Sequence, residues 1–265
     1  MIGFFLAVWV QHYAFSPKLF LLMVLCMVLA RTAAMSFNRW ADQHIDAKNF
    51  RTSNREIPSG KVSSLSALLL VIISATGFVL ICYFINSLVF YLSPVALAVV
   101  LGYSYAKRFT SLAHIILGIG LSLAPIGSYL VVTQEFSVLP LLLSGAVLTW
   151  VAGFDIIYAL QDEEFDKQNQ LHSIPSRFGK RNALIISIVL HVLSFLLVVA
   201  FCRIGNFGGW FLAGTMVFGG LLVYQHLLVK PNDLSKVNMA FFTLNGIASI
   251  VFACFVLVDF YLKSN

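Results

Sequence analysis

Apolar residues in this chain run in blocks of about twenty, separated by short polar stretches, and within a block they are continuous rather than alternating. A helix rises about 1.5 Å per residue, so a block of about twenty is long enough to cross about 30 Å of hydrocarbon. Continuous runs exclude a barrel, whose strands alternate with a period of two. The pattern predicts nine helical segments, at 2–15, 19–37, 63–85, 88–106, 111–132, 138–160, 183–202, 208–229 and 237–262. Ser16-Pro17-Lys18, Asn86-Ser87 and Lys107-Arg108 mark breaks, and Pro94 and Pro125 predict kinks inside the fourth and fifth segments. The first segment has 14 residues, about 21 Å of helix, which is short for a span. It is expected to be thinned at one end or to begin upstream of Met1. No basic region precedes its apolar run and no clear cleavage site follows, so no secretory signal is expected. The reading is an all-α polytopic membrane protein, a nine-helix bundle forming a single domain over residues 1–265.

The charged residues orient the bundle. Nine spans put the termini on opposite sides. The loops at 38–62, 107–108, 161–182 and 230–237 together hold thirteen Lys and Arg, against three (Lys18, Arg203, Lys263) on the other side. That asymmetry places the first set of loops and the N-terminus in the cytoplasm.

Composition agrees. The chain is 60% hydrophobic and 11% charged, with a mean hydropathy of +0.91, outside the range of soluble domains. The net charge of +6 fits basic cytoplasmic loops. No basic stripe interleaved with aromatics appears, so nucleic acid is not an expected partner; the lipid bilayer is. Cys26, Cys82, Cys202 and Cys254 lie singly inside apolar runs and read as packing residues, not as a redox pair or metal site. His12, His191 and His226 earn no functional reading.

Most of the acidic charge is concentrated in two islands, 38–60 (NRWADQHIDAKNFRTSNREIPSG) and 155–179 (DIIYALQDEEFDKQNQLHSIPSRFG). Asn38, Asp42 and Asp46 are spaced i, i+4, i+8. Each step of four advances about 40° on a helix, so the three share one face. Arg31, seven residues earlier, lies on that face and deeper in the bilayer. In the second island Asp155, Asp162 and Asp166 are spaced i, i+7, i+11, which on a continuous helix keeps them within about 40°. Tyr158 lies beside them. Stacked carboxylates repel, and the repulsion turns favourable with divalent cations between them. A few hard oxygen ligands, with room for water and phosphate oxygens, suit Mg²⁺. The two islands are therefore expected to face each other across a cavity and hold a metal-bound diphosphate. Lys48, Arg51, Arg55, Lys107 and Arg108 would neutralise it.

The plain alternative is that these residues are solvated helix ends and topogenic loops. That suffices for Lys48, Arg51, Glu56, Lys167 and Lys180. It does not explain regular Asn/Asp spacing that occurs twice, at matching positions in the topology. Arg31 is a charge inside a span, worth at least about 2.5 kcal/mol against insertion, and is expected to pair with a carboxylate or an anionic substrate. Tyr103 and Lys107, spaced i, i+4, could point into the same cavity, although a Tyr at that depth is also a common interfacial anchor. A transporter is the competing class, but transporters place their ligands near the midplane in inverted repeats. Here the acids sit at helix ends, and the motifs recur in one orientation.

The motifs N-x-x-x-D-x-x-x-D (Asn38, Asp42, Asp46) and D-x-x-Y-x-x-x-D-x-x-x-D (Asp155, Tyr158, Asp162, Asp166) resemble those of the UbiA superfamily of intramembrane prenyltransferases. Order, separation and helix count agree over essentially the whole chain. Tyr103 to Thr110, Arg55 to Gly60 and Ser173 to Gly179 add to the resemblance. The resemblance implies transfer of a polyprenyl group from its diphosphate to an aromatic acid with Mg²⁺, and a bundle that opens laterally to lipid. It further implies that Asn38, Asp42, Asp46, Asp162 and Asp166 bind metal and diphosphate, with Asp42, Asp162 and Asp155 at the chemistry. Arg55, Lys107 and Tyr103 would contact the diphosphate, Tyr158 the substrate, and Asp155 would help to deprotonate the acceptor's phenol. Arg31 would hold the acceptor's carboxylate, and Ser128 would line that pocket. The stretch Ala30 to Arg39, with Arg-Glu-Ile-Pro at 55–58, is similar to a subgroup that includes 4-hydroxybenzoate polyprenyltransferases and enzymes prenylating a dihydroxynaphthoate for menaquinone. Haem and chlorophyll prenyltransferases fit less well, because neither acceptor needs an intramembrane Arg.

Overall fold

A computed structural model describes residues 1–264, and its elements are helices. In chain order they are α1 (Ile2–Phe5), α2 (Pro17–Ala41), α3 (Gln43–Asp46), α4 (Ser64–Ile85), α5 (Ser87–Ala106), α6 (Ala113–Thr133), α7 (Val138–Ala159), α8 (Glu163–Gln168), α9 (Ile174–Ile204), α10 (Gly209–Leu228) and α11 (Asn245–Ser264). A π-helical turn (Leu6–Val10) extends α1, a 3₁₀ turn (Leu160–Asp162) joins α7 to α8, and a second π turn (Met239–Leu244) leads into α11. Among the described residues, eight helices are long and apolar enough to cross a membrane. The first predicted segment is shorter than expected. It stops after Val10, and His12 takes a left-handed φ of 59°. The nine predicted segments thus appear as eight spans and a short N-terminal helix.

The sequence supplies the helix starts. The Ser16 hydroxyl accepts the Leu19 N–H at 3.3 Å, with Pro17 in the first turn. Ser63 caps α4 at 3.0 Å and Asn86 caps α5 at 2.9 Å. One start differs from expectation: α9 begins at Ile174, not near 183. Ser173 and Ser176 form a reciprocal capping box with Pro175 in the first turn. Gly179 (φ 77°, ψ 164°) then breaks the helix, a conformation open to glycine alone. Hydropathy finds where apolar residues begin, and here the helix begins nine residues earlier, in the polar island.

The chain divides into two compact units, Ser16–Lys107 and Met1–Phe15 together with everything from Arg108 onward. In the first unit α2 packs on α4 and α5. The buried, unbridged Cys26 and Cys82 meet there, with their sulfurs 3.8 Å apart. In the second unit α7 is central, between α6 and α9. Lipid is as apolar as leucine, so small residues and interhelical hydrogen bonds hold such helices together. The Ser187 hydroxyl donates to the Gly153 carbonyl at 2.7 Å, and that of Ser194 to the Ala146 carbonyl at 2.8 Å. His191 and His226, unassigned from sequence, hydrogen-bond to each other at 2.8 Å. At one end of this unit Asp259 of α11 accepts the Gly208 N–H at 2.8 Å and the Phe211 N–H at 3.1 Å, capping α10 from outside.

Candidate active site

Each island sits where a long helix ends and a short one starts. α2 stops at Ala41 and α3 begins at Gln43; between them Asp42 has φ −96° and ψ 5°. α7 passes through its 3₁₀ turn, and Asp162, at φ −100° and ψ 3°, precedes α8. The middle aspartate of each motif thus occupies the same sparsely populated bridge conformation. The parallel extends downstream. Each island runs into an Ile-Pro-Ser sequence and then a left-handed glycine, Gly60 (φ 75°) or Gly179 (φ 77°).

In the first island the helical ladder survives the break. The Asp42 N–H reaches the Asn38 carbonyl at 3.0 Å, and the Asp46 N–H reaches the Asp42 carbonyl at 2.8 Å. Asn38, Asp42 and Asp46 therefore keep the stacked arrangement their spacing predicts. Asn38 donates its side-chain amide to Asp42 Oδ2 at 3.0 Å. Asp46 is buried, and Arg55 Nη1 lies 2.7 and 2.8 Å from its two carboxylate oxygens. The buried Thr52 hydroxyl donates to the Asp46 carbonyl, folding the loop over it. Arg39 lies 3.6 Å from Glu56 across the same loop. Tyr103, on α5, and Lys107, at its end, are half-buried in this unit.

Arg31 differs from expectation. It is exposed on α2, and among the described residues no carboxylate pairs with it.

In the second island the continuous-helix geometry does not hold. A 3₁₀ turn advances about 120° per residue against about 100° in an α-helix, so three residues add about 60° of rotation between Asp155 and Asp166. Asp162 and Asp166 are both buried. Glu163, also buried, lies 2.7 Å from Lys167 and 3.8 Å from Lys180, so both lysines serve an ion pair within the island. Tyr158 stacks on Phe241 of the π turn at 4.1 Å between centroids, with Phe242 edge-on at 5.8 Å. Ser128 is buried on α6 and donates to the Pro125 carbonyl at 2.9 Å. Gly3 comes so close that a Cβ there would lie 2.1 Å from the Pro125 oxygen and 2.6 Å from Ser128 Oγ.

Asp155 brings in a residue the sequence did not suggest. His114 of α6 is fully buried, and its Nδ1 lies 2.6 Å from Asp155 Oδ2. The Ile174 N–H, at the start of α9, points at His114 Nε2 over 3.4 Å. These partners are 41 and 60 residues from His114 in sequence, and no local motif announces them.

No described group of three His, Cys, Asp or Glu side chains forms a ready-made ion cage. The donor chemistry nonetheless fits a hard cation. Within one unit Asn38 and Asp42 lie with the buried carboxylate of Asp46, and within the other Asp162 and Asp166 are buried carboxylates. Mg²⁺ takes few protein ligands and completes its shell with water and phosphate.

A family model described as the UbiA prenyltransferase family matches residues 1–247. The chain belongs to this family and is a membrane-embedded prenyltransferase. It is 30% identical over 236 residues to the 4-hydroxybenzoate octaprenyltransferase of Yersinia pseudotuberculosis serotype O:1b, covering 89% of this chain and 81% of that one. It is 27% identical over 249 residues to the enzyme of the same name from Psychromonas ingrahamii, covering 93% and 86%. Among solved structures, a UbiA homolog from Aeropyrum pernix K1 in its apo form superposes with a TM-score of 0.88 at 30% identity, over 97% of this chain and 95% of that one. A UbiA homolog from Archaeoglobus fulgidus bound to GPP and Mg²⁺ shares the fold, with a TM-score of 0.68 at 18% identity over 98% and 95%.

Proposed function

We propose that this chain transfers a polyprenyl group from polyprenyl diphosphate to the aromatic acid 4-hydroxybenzoate, with Mg²⁺, in quinone biosynthesis. The doubled island carries the reading: two Asp-rich motifs, each with its middle aspartate at the same break in a helix. The relatives named 4-hydroxybenzoate octaprenyltransferase support the acceptor. The homolog bound to GPP and Mg²⁺ supports the donor and the metal.

Asn38, Asp42, Asp46, Asp162 and Asp166 would hold Mg²⁺ and, through it, the diphosphate. When bound, the metal supplies Lewis-acid stabilisation of the leaving diphosphate. Arg55 and Lys107, with Tyr103, take the charge that develops on that group as its bond to the prenyl carbon lengthens. Arg55 is already at Asp46, so it can divide its hydrogen bonds between carboxylate and phosphate oxygens. Arg31 anchors the acceptor's carboxylate, which gives a charge within a span a partner. Asp155 takes the acceptor's hydroxyl proton and raises the electron density of the ring carbon that attacks the prenyl group. Tyr158 is held by Phe241 and Phe242 as one wall of the substrate site, and Ser128 lies at the acceptor side. The isoprenoid tail would leave sideways into lipid, because the product is too apolar to pass through water. The excess of Lys and Arg in the island-bearing loops supports a cytoplasmic position for these loops at the inner membrane.

The test is to offer membranes containing the chain, with Mg²⁺ and labelled polyprenyl diphosphate, 4-hydroxybenzoate and dihydroxynaphthoate in parallel. Faster labelling of 4-hydroxybenzoate is expected. Preference for dihydroxynaphthoate would move the chain to menaquinone synthesis. Uptake of a solute into proteoliposomes without prenyl transfer would mean a transporter.

A further inference from the structure

His114 has no role in the reading above, yet it is the described side chain that hydrogen-bonds Asp155. A fully buried imidazole beside a carboxylate in a membrane protein needs both ring nitrogens satisfied. Its two contacts decide how. A backbone N–H can only donate, so the Ile174 N–H requires a lone pair on Nε2. The ring proton of the neutral imidazole is then on Nδ1, where it donates to Asp155 Oδ2 at 2.6 Å. Nε2 meets the backbone N–H of the buried Ile174 at the first turn of α9, and the His114 side chain is fully buried. It therefore has no route to a substrate, and His114 cannot act as the proton acceptor itself. What it can do is fix Asp155. The Asp155 side chain is 21% exposed while that of His114 is 0% exposed, so the carboxylate has one oxygen held from behind and an open side in front.

We propose that His114 is the positioning residue for Asp155: its Nδ1–H clamps Oδ2, so that Oδ1 is presented to the acceptor's hydroxyl. This rests on the role proposed above for Asp155. In the step concerned, the acceptor's O–H bond breaks and its proton passes to Oδ1. The ring carbon bonds to the prenyl carbon as the bond to diphosphate breaks. The proton displaced from that ring carbon goes to the acceptor's oxygen as the ring regains aromaticity, and Asp155 gives up the proton it took to water, so that one proton is released per transfer. His114 exchanges no proton at any point. Its second contact ties the clamp to α9 directly after the second island, so the angle of Asp155 is set by three helices and not by α7 alone.

His114→Leu removes both contacts, and His114→Asn keeps a donor amide close to where Nδ1 stands. His114→Leu is expected to lower kcat for prenyl transfer by about tenfold to a hundredfold, the scale of a misplaced reacting group, with KM for polyprenyl diphosphate unchanged. Its rate should also climb with pH, because the acceptor must then ionise without a positioned base. His114→Asn should recover most of the rate. In an Asp155→Asn background, His114→Leu should add little, since a residue acting through Asp155 has nothing left to position. A full additional loss there, or an unchanged pH profile in His114→Leu, overturns the proposal. If His114→Leu does not accumulate in membranes, His114→Asn against His114→Gln decides. Asn must be the more active, because the Gln amide reaches toward Nε2 instead, and the reverse order overturns the proposal. One readout is independent of turnover. The ¹⁵N resonances of His114 in detergent should show a neutral ring protonated on Nδ1, and a ring protonated on Nε2 overturns the clamp whatever the acceptor is. Failure of wild-type membranes to prenylate either aromatic acid, with the Nδ1 tautomer observed, would instead remove the functional reading and leave the clamp.

Discussion

Arg55 sets a single guanidinium nitrogen, Nη1, 2.7 and 2.8 Å from the two carboxylate oxygens of Asp46. The pair is asymmetric: the Asp46 side chain is 7% exposed and that of Arg55 is 25% exposed. The carboxylate is the more enclosed partner, and the cation is the more accessible one.

Arg55→Ala should therefore leave a buried carboxylate without its cation. A hydrogen bond to a charged group is worth about 2 kcal/mol, so a lower melting temperature in detergent is expected. KM for polyprenyl diphosphate should also rise by about tenfold, roughly 1.4 kcal/mol of lost binding, and Arg55→Lys should recover part of it. A variant with unchanged KM would take Arg55 out of the donor site.

Gly179 lies at φ 77° and ψ 164°, and a Cβ there would meet nothing within 4 Å. Gly179→Ala should thus destabilise through the backbone alone, by about 1–3 kcal/mol. Gly220 is equally open but lies inside α10, where Gly220→Ala should be neutral or stabilise by up to about 1 kcal/mol. Paired thermal melts rank the two, and the opposite ranking would contradict the kink at Gly179.

Asp259→Ala separates structural carboxylates from those of the islands. It uncovers the N–H groups of Gly208 and Phe211 at the start of α10, a loss of about 1–2 kcal/mol for a helix cap. The melting temperature should fall while prenyl transfer below that temperature is retained. Loss of transfer in folded protein would bring Asp259 into the chemistry.

Orientation can be read by labelling single cysteines, introduced where native Cys254 is replaced by Ser, with a membrane-impermeant maleimide. Cysteine at Ser53 or Asn169, in the islands, should react only after the cells are permeabilised. Cysteine at Asn206, between α9 and α10, should react in intact cells. The reverse pattern would invert the topology.

Much of the fold and of the candidate site was legible in the sequence, because both rest on local rules. Apolar length located the spans, and the breaks at Ser16 and Asn86 announced helix starts that the structure places within two residues of those expected. The i, i+4, i+8 spacing of Asn38, Asp42 and Asp46 carried through because the backbone hydrogen bonds continue across the break at Asp42. What was missed is either a departure from regular helix or a contact distant in sequence. The 3₁₀ turn at Leu160–Asp162 interrupts the continuous helix assumed for the second island, and no Gly or Pro in that turn signals it. The Ser173–Ser176 box and Pro175 were visible as a helix start, but hydropathy hid them by making 155–179 look like one polar island. Arg31 stands out in the sequence as a costly charge, and among the described residues no carboxylate pairs with it. His114 looked like one more residue on an apolar helix, because what defines it, Asp155 and the Ile174 N–H, comes from other helices.

The central claim, that both Asp-rich motifs serve one prenyl transfer, is tested most directly by single alanine variants of Asp42, Asp46, Asp162 and Asp166. Each would be assayed in membranes with labelled polyprenyl diphosphate, 4-hydroxybenzoate and Mg²⁺, with Asp259→Ala as the folded control. Every one of the four should abolish transfer, as should chelation of the metal in the wild type. Retained transfer in any two of the four would contradict the account.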